Sequence, residues 1–542
     1  MNAYAKMFIK LIIGIAILSA VLSVIGTWMG STATFGEAIL RLIILSVFIL
    51  LIAKALNFSF VPMVFQALFE MLRGFFNFLF FAGRRWEGAR YMGNIEAWWF
   101  FRSDHKGFVV DGANRRLEEK TSFQSVMTVG GMGKGKSTVF VMPNMYTLNN
   151  CSMVVTDTSG EIYQQTSGYL KSQGFNIQVL NLMDMKYSAS YNPLASANSF
   201  TEIQQVAHLL LKSSPSASSG DDAFWTAGAE KIIRILIQCL KNRAAEDPTQ
   251  AKYVNLPNVK YLLNHFDAHS AKPGTSKLDR FVMDSTLNDK STWNDYVGFT
   301  NGNEKTVLSF ISSADTALTP VGNPDLAQLM GQQHGIDFEQ LRREKTVLYV
   351  LVRQQDLSYF AFLLNMFYSD LFRSLLSDVK HGGLPVYLLL DEFGHLTIPD
   401  FATYATTARK YEVGFWIFLQ SLSQLQSRYG RDEAQTILDG LQTEIYLPGM
   451  GIETAEMLAR RLGRRRRNGQ TDWRYGDENL MNPDEIISME DDEALLLHSN
   501  RRPFRYRVTP FYKQWRMKRA SQMDKPRLKV PRPSEIEFIN LK

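Results

Sequence analysis

The sequence predicts an α/β protein built on a mostly parallel, doubly wound sheet, and three observations carry that prediction. Continuous apolar runs, "KTVLYVLVR" (345–353), "PVYLLLDE" (385–392) and "VGFWIFLQ" (413–420), suit strands buried on both faces. Helical apolar spacing separates such runs, as in "DLSYFAFLLNMFYSDLFRSLLSDV". A glycine-rich turn follows the short β-rich run "SVMTVGG" (125–131) and opens a helical stretch. "CSMVVTDTSGE" reads as a further strand and "TEIYLPG" (443–449) as a sixth.

With 542 residues the chain exceeds one compact core, so more than one domain is expected. The two cysteines, Cys151 and Cys239, have no metal-like spacing and exclude a disulfide framework; a reducing compartment fits. The eight histidines form no ligand pattern, so no metal is expected beyond an ion that accompanies a nucleotide.

The N-terminal region departs most from a soluble protein. Leu11 to Met29 carries no charge, and as a helix it is about 28 Å long, close to the hydrocarbon core of a bilayer. A signal peptide has a shorter apolar core ending at small residues; this run ends in Trp28-Met29 and reads as a retained span. A second run, 38–60, contains only Arg41 and Lys54 near its ends, where long side chains snorkel to the interfaces. Lys6 and Lys10 precede the pair, and Arg73, Arg84, Arg85 and Arg90 follow it, so both ends of the hairpin are expected in the cytoplasm. Glu70 and Arg73 make 63–81 an interfacial segment rather than a third span.

The expected organisation is therefore a membrane anchor over 1–84, an α/β domain over 85–194 and 336–542, and an inserted all-α domain over 195–335. In the insert the strand signals nearly vanish, and "FTEIQQVAHLLLKS", "WTAGAEKIIRILIQCLKN" and "NEKTVLSFISSADTAL" have helical spacing.

Gly130-x4-Gly135-Lys136-Ser137 fits the P-loop pattern, placed between a strand and a helix as that pattern requires. The residues expected around the phosphates are Gly130, Gly131, Met132, Gly133, Lys134, Gly135, Lys136, Ser137 and Thr138. Glycines let consecutive amides face one concavity, and the following helix adds its positive end. Lys136 is expected on the β- and γ-phosphates of ATP, and the Ser137 hydroxyl on Mg²⁺. Asp391 and Glu392 follow a buried strand, at the end where open α/β sheets bind ligands. Asp391 is the second candidate for Mg²⁺, and Glu392 the candidate to polarise the attacking water. Gln420 ends another strand, placed to sense the γ-phosphate or position water. Phosphoryl transfer also calls for a cation on the developing charge; Arg409, Arg428 and Arg353 are candidates, with Arg409 placed first.

Three long stretches, "VVTDTSGEIYQQTSGYLKSQGFNIQVLNLMDMKYSASYNPL", "LLLDEFGHLTIPDFATYATTARKYEVGFWIFLQSLSQLQSRYG" and "NLMNPDEIISMEDDEALLLHSNRRPFRYRVTPFYK", resemble the VirD4/TraG type IV secretion coupling proteins. Pro143-Asn144 in the helix after the loop resembles the same family. The resemblance implies a RecA-like ATPase domain with an all-α domain, anchored in the bacterial inner membrane as a multi-pass protein and acting as a homo-hexamer. It implies partners as well: a relaxase bound to single-stranded DNA, the type IV secretion channel subunits and membrane lipid. One position departs. Family members end their second strand in Asp-x-Lys-Gly-Glu, whereas Ser159 stands at the lysine position in Asp157-Thr158-Ser159-Gly160-Glu161.

Arginines cluster at 460–461, 464–467 and 501–532, with Tyr506, Tyr512 and Trp515 interleaved, a combination that suits phosphate tracking and base stacking and equally a solvated tail. The expected function is ATP-driven delivery of relaxase–DNA substrates to a conjugation channel. The same residues fit a protein-effector coupling ATPase without DNA, or a nucleotide-gated docking receptor that does not pump.

Overall fold

The computed structural model describes residues 88–212, 223–267, 276–332, 335–377, 383–465, 478–526 and 535–541. The spans expected at 11–29 and 38–60, and the interfacial segment, lie outside the described residues. Among the described residues no helix is long and apolar enough to cross a membrane.

The strands are β1 (Val126–Val129), β2 (Ser152–Asp157), β3 (Asn176–Asn181), β4 (Thr346–Leu351), β5 (Val386–Leu390), β6 (Val413–Leu419), β7 (Thr443–Tyr446), β8 (Arg464–Arg465), β9 (Glu478–Asn479), β10 (Glu493–His498) and β11 (Phe504–Arg507). Nine of them form one sheet in the order β11-β10-β7-β1-β6-β5-β2-β4-β3, and β8 pairs with β9 apart from it. β1 to β7 are parallel throughout; β10 runs antiparallel to β7 and to β11. The mostly parallel α/β fold expected from the sequence is thus present, with an antiparallel hairpin added at one edge.

The strands read as unbroken apolar runs because both faces are covered. Met127, Val129, Leu388, Leu390, Ile417 and Leu419 belong to one core, and their neighbours Val126, Tyr387, Leu389, Trp416 and Phe418 to another on the opposite face. Alternate residues of a strand point to opposite faces, so two cores need apolar residues at every position. Trp416 is the exception that needs a partner, and its indole N–H donates to Thr128 Oγ1 across the β1–β6 pair at 2.8 Å.

Between β3 and β4 the described chain is helical: Phe200–Lys212, Ala223–Glu246, Leu256–Leu263, Lys277–Ser285, Lys290–Thr300, Glu304–Ala317 and Pro324–Met330. Ala223–Glu246 is the central element, with Ile232, Ile233, Ile235, Leu236 and Ile237 wholly buried on consecutive turns. A helix apolar nearly all round needs neighbours on every side, and the other helices supply them. Side-chain caps start these helices where the sequence offers them: Asn255, Asp289 and Asn303 each accept from a first-turn amide, and Ser276 with Asp279 forms a reciprocal capping box.

Three strands of the main sheet escape the sequence reading, as does the β8–β9 pair. β3 falls in "FNIQVLN", whose polar residues break the apolar run, β10 in the short run "EALLLH", and β11 in the stretch read as a basic cluster. In β11, Phe504 and Tyr506 are buried while Arg505 and Arg507 are exposed. That is strand alternation on a half-covered edge, where arginine suits the open face.

A candidate nucleotide site at the carboxyl rim

β1, β2, β4, β5 and β6 all run the same way, so the segments after them share one rim. β6 lies between β1 and β5, which sets Gln420 between the glycine-rich loop and the Asp391-Glu392 pair. The loop continues the sheet for two bonds, Gly130 N–H to Leu419 O at 3.1 Å and Gly131 N–H to Pro448 O at 3.4 Å, before turning away. Gly131 passes so close to the next loop that an added Cβ would sit 2.7 Å from Gly449 O, and Gly135 has φ +82°, a left-handed value that favours glycine.

Among the described residues, the main-chain N–H groups from Met132 to Ser137 have no protein acceptor. Lys136 is buried, and its ammonium donates to Gly130 O at 2.9 Å and Gly131 O at 3.2 Å. Burial lowers its pKa, opposed by the negative fields of Glu392 and Asp391. Thr138 Oγ1 donates to Gly135 O at 3.2 Å. Met132 is exposed, and Lys134 turns outward to Asp491 at 2.7 Å, so neither side chain joins the concavity.

The helix after the loop opens as a π-turn, Lys136–Val141, and continues as Met142–Thr147. Pro143 has no N–H to give to the preceding turn, which accounts for the widened start. Asn144, wholly buried, uses the opening. It accepts from Val109 N–H at 2.8 Å and donates to Val109 O at 2.9 Å and Phe140 O at 2.8 Å, tying the helix to an outer loop.

Ser137 Oγ donates to Asp391 Oδ2 at 2.9 Å, joining residues 254 positions apart. Burial pushes the Asp391 carboxyl up to about 6, against the Ser137 bond that lowers it; Glu392 adds to the rise and Lys136 opposes it. Glu392 holds a left-handed backbone, φ +52°, uncommon for a side chain of its size. Its carboxylate accepts from Gln420 Nε2 at 3.0 Å. Phe393 anchors the turn beneath, stacked on Tyr429 at 5.9 Å, and Gln424 Oε1 accepts the Gln420 amide at 3.1 Å.

Two residues that the sequence reading leaves out stand here. His395 Nε2 lies 3.9 Å from Glu392 Oε2 and 2.9 Å from Gln354 Nε2, which follows β4. The motif "DEFGHL" contains the histidine, but nothing in its spacing distinguishes it from a helix-start residue.

Lys136, Ser137, Asp391, Glu392 and Gln420 therefore meet at one place. Arg409 does not. It precedes β6, so a full strand of seven residues, about 23 Å, separates it from that rim within the chain. Arg353, just after β4, lies on the rim; Arg428 is in the last turn of the helix Leu422–Tyr429, and both are exposed. Ser159, at the family's lysine position, closes a turn: Asp157 Oδ1 accepts from Ser159 N–H (3.1 Å), Ser159 Oγ (3.2 Å) and Gly160 N–H (2.8 Å), and Oδ2 from Tyr163 N–H at 2.8 Å.

The basic clusters are less available than their composition suggests. Arg461 makes a two-pronged pair with buried Glu444, at 2.6 and 2.5 Å, and that carboxylate raises its pKa further. Arg465 pairs with Glu478, Arg505 with Glu493, Arg507 with Glu490 and Asp492, and Arg502 with Glu96. Tyr506 is buried with its hydroxyl on Val110 O at 2.8 Å, so it offers no stacking face; Tyr512 and Trp515 are exposed.

Unpartnered amides, an ammonium over the same loop, and a hydroxyl–carboxylate pair form the donor set that fits a nucleotide polyphosphate with a hard divalent cation. The comparisons with known proteins agree with the fold. The family described as type IV secretory system conjugative DNA transfer matches residues 90–532. Protein VirD4 of Rhizobium radiobacter is 23% identical over 427 residues, 74% of this chain and 58% of its own length. Protein VirD4 of Agrobacterium fabrum is 24% identical over 416 residues, 71% and 58% respectively. The chain thus spans less than two thirds of these relatives. The plasmid coupling protein TrwB in complex with a non-hydrolysable GTP analogue superposes with a TM-score of 0.59 at 18% identity, covering 79% of this chain and 96% of TrwB. TrwB with ADP and Mg²⁺ gives 0.58 at 17%, with the same coverage.

Proposed function

Since the chain belongs to the type IV secretory system conjugative DNA transfer family, as a VirD4/TraG-type coupling protein, we propose that it hydrolyses Mg-ATP to deliver a relaxase–single-stranded DNA substrate to a secretion channel. The observation that carries the reading is the 2.9 Å contact of Ser137 with Asp391, made across three strands by residues that share no local sequence.

In this reading the amides from Met132 to Ser137 and the Lys136 ammonium hold the phosphates, and Ser137 and Asp391 hold the magnesium ion. Bound Mg-ATP supplies a phosphoryl group whose transfer to water releases the free energy used. Lys136 turns from the two loop carbonyls to the β- and γ-phosphates and balances their charge. Glu392 orients the attacking water and accepts its proton. Gln420 fixes the Glu392 carboxylate and relays its position into the helix Leu422–Tyr429. An arginine from a neighbouring copy completes the charge balance; Arg409 remains a candidate only in that intersubunit role.

The wider assignment follows the same premise. Residues 1–84 anchor the chain in the bacterial inner membrane through the apolar runs 11–29 and 38–60, with the bulk cytoplasmic. Residues 85–194 and 336–542 form the RecA-like domain and 195–335 the all-α domain, in a homo-hexamer that meets channel subunits and lipid.

The test is steady-state ATP hydrolysis by the full chain in lipid nanodiscs, with and without single-stranded DNA, beside Lys136→Ala. Hydrolysis that rises with DNA and disappears in the variant is expected. Hydrolysis indifferent to DNA would move the assignment to protein export, and nucleotide binding without turnover to a docking receptor.

A further inference from the structure

Residues 535–541 contact none of the rim residues named above and lie against the helical region in a way that resembles a bound ligand more than a folded element. The segment belongs to no helix or strand and is "EIEFINL" in sequence. Wholly buried Asn258, in the helix Leu256–Leu263, holds it with both ends of one amide: Nδ2 donates to Glu537 O at 3.1 Å and Oδ1 accepts from Ile539 N–H at 2.9 Å. In an extended chain the carbonyl before a residue and the N–H after it point the same way. A single primary amide can satisfy both, whatever the side chains. Asn255 fixes the orientation of that amide, accepting from Asn258 Nδ2 at 2.9 Å and from Asn258 N–H at 3.0 Å.

The side chains then add selectivity. Ile539 and Leu541, two apart, are buried in the core of the helical region, while Asn540 between them is exposed. Ile536 packs on Gly331, where an added Cβ would meet it at 3.1 Å. Glu537 pairs with Lys252, and the Phe538 ring lies 5.0 Å from that of Tyr261. Among the described residues, no backbone–backbone hydrogen bond joins this segment to the rest of the chain. One side-chain amide, one exposed ion pair and the apolar contacts of Ile536, Phe538, Ile539 and Leu541 hold it. That is the inventory of a peptide complex, and it lacks the ladder that fixes a strand.

We propose that the groove at Asn258 is a binding site for extended peptides carrying an acid followed by alternating apolar residues, and that segment 535–541 is its built-in, exchangeable occupant. The tether makes the built-in copy a strong competitor. Asp524 is seated on the helix Glu161–Ser172, its carbonyl where a Cβ on Gly168 would fall, so only about ten residues separate that anchor from the groove. A short tether holds the segment at a millimolar effective concentration, which an incoming peptide must exceed. The ligand class is thus a protein partner with an exposed, extended acidic–apolar stretch, admitted when the built-in copy lets go. Peptide capture at this groove is independent of the proposed ATPase activity.

The experiment measures binding of a fluorescent peptide, EIEFINL, to the intact chain and to the full-length variant Ile539→Asp/Leu541→Asp. The variant is expected to bind at least ten-fold more tightly than the unaltered chain, and adding Asn258→Ala should abolish the gain. A variant with native circular dichroism that binds no peptide would overturn the site, and equal binding by both chains would overturn the competition. Should the variant misfold, hydrogen exchange on the unaltered chain decides. The Ile539 amide is expected to exchange at least 100-fold faster than Leu389 in β5; equal protection would show a fixed core element and end the proposal.

Discussion

β2 and β5 lie side by side in the sheet, their last paired residues Thr156 and Leu390 level with each other, and each strand is followed or ended by an aspartate. The two carboxylates share a strand type, a rim and near-total burial, yet they do different work. Asp157 accepts four hydrogen bonds, all from residues two to six positions ahead of it. Its capacity is spent on its own turn and the start of the helix Glu161–Ser172. Asp391 accepts from the neighbouring Glu392 N–H and from Ser137, which arrives from the glycine-rich loop. Residues just downstream in the chain can satisfy an aspartate as a structural cap; a partner arriving from elsewhere makes it the candidate for a site.

The largest effect expected at this rim is on turnover. Lys136→Ala removes the ammonium over the loop and should lower ATP hydrolysis about 10²–10³-fold, read by steady-state phosphate release, with the melting temperature nearly unchanged. Retained hydrolysis would detach the loop from the chemistry.

Asp391→Asn separates site from scaffold more sharply. It should reduce turnover on the order of 100-fold while stabilising the nucleotide-free, magnesium-free chain at pH 7.5 by up to about 3 kcal/mol. The sign follows from burial, which holds the folded carboxyl at about 6, above its unfolded value. Its contribution to stability is therefore fully present below the unfolded pKa and lost as pH rises through about 6. Denaturant melts between pH 4 and 7.5 should lose that slope in the asparagine variant. A less stable variant would mean that Asp391, like Asp157, is structural.

Asp157→Ala should do the opposite. It removes the buried acceptor of three part-buried amides and should cost about 2–4 kcal/mol of stability by urea denaturation, with nucleotide affinity within about three-fold of the unaltered chain. A selective loss of nucleotide binding would place Asp157 in the site and erase the contrast.

The smallest effect is expected at His395→Ala, which loosens the Gln354–His395–Glu392 arrangement. It should lower kcat roughly three- to ten-fold with KM unchanged, and His395→Gln should restore part of it, because an amide reaches the same two neighbours. A change in KM alone would exclude a positioning role.

Much of this rim was legible in the residues. The spacing Gly130-x4-Gly135-Lys136-Ser137 is local, so the loop and its lysine could be named without a fold. Asp391, Glu392 and Gln420 could be named because each ends an unbroken apolar run, and parallel strands deliver their ends to one edge. That the Lys134 side chain turns out of the loop was not legible, because its partner Asp491 is 357 residues away. The arginines at 460–467 and 501–507 read as basic clusters, because the acids that neutralise them, Glu444, Glu478, Glu493 and Glu96, come from other strands and from a helix.

By itself, then, the sequence determined the layered α/β class, the phosphate-type loop and the strand ends that carry acids, because each depends on periodicity or on contiguous residues. Tertiary structure alone decided that Ser137 meets Asp391, that Glu392 is held by Gln420, that Arg409 stands a strand's length from them, and that Asn258 grips a segment 279 residues downstream. The reason is physical. A hydrogen bond of about 3 Å between distant residues depends on strand order and register, and those are fixed only when both faces of the sheet bury their side chains together.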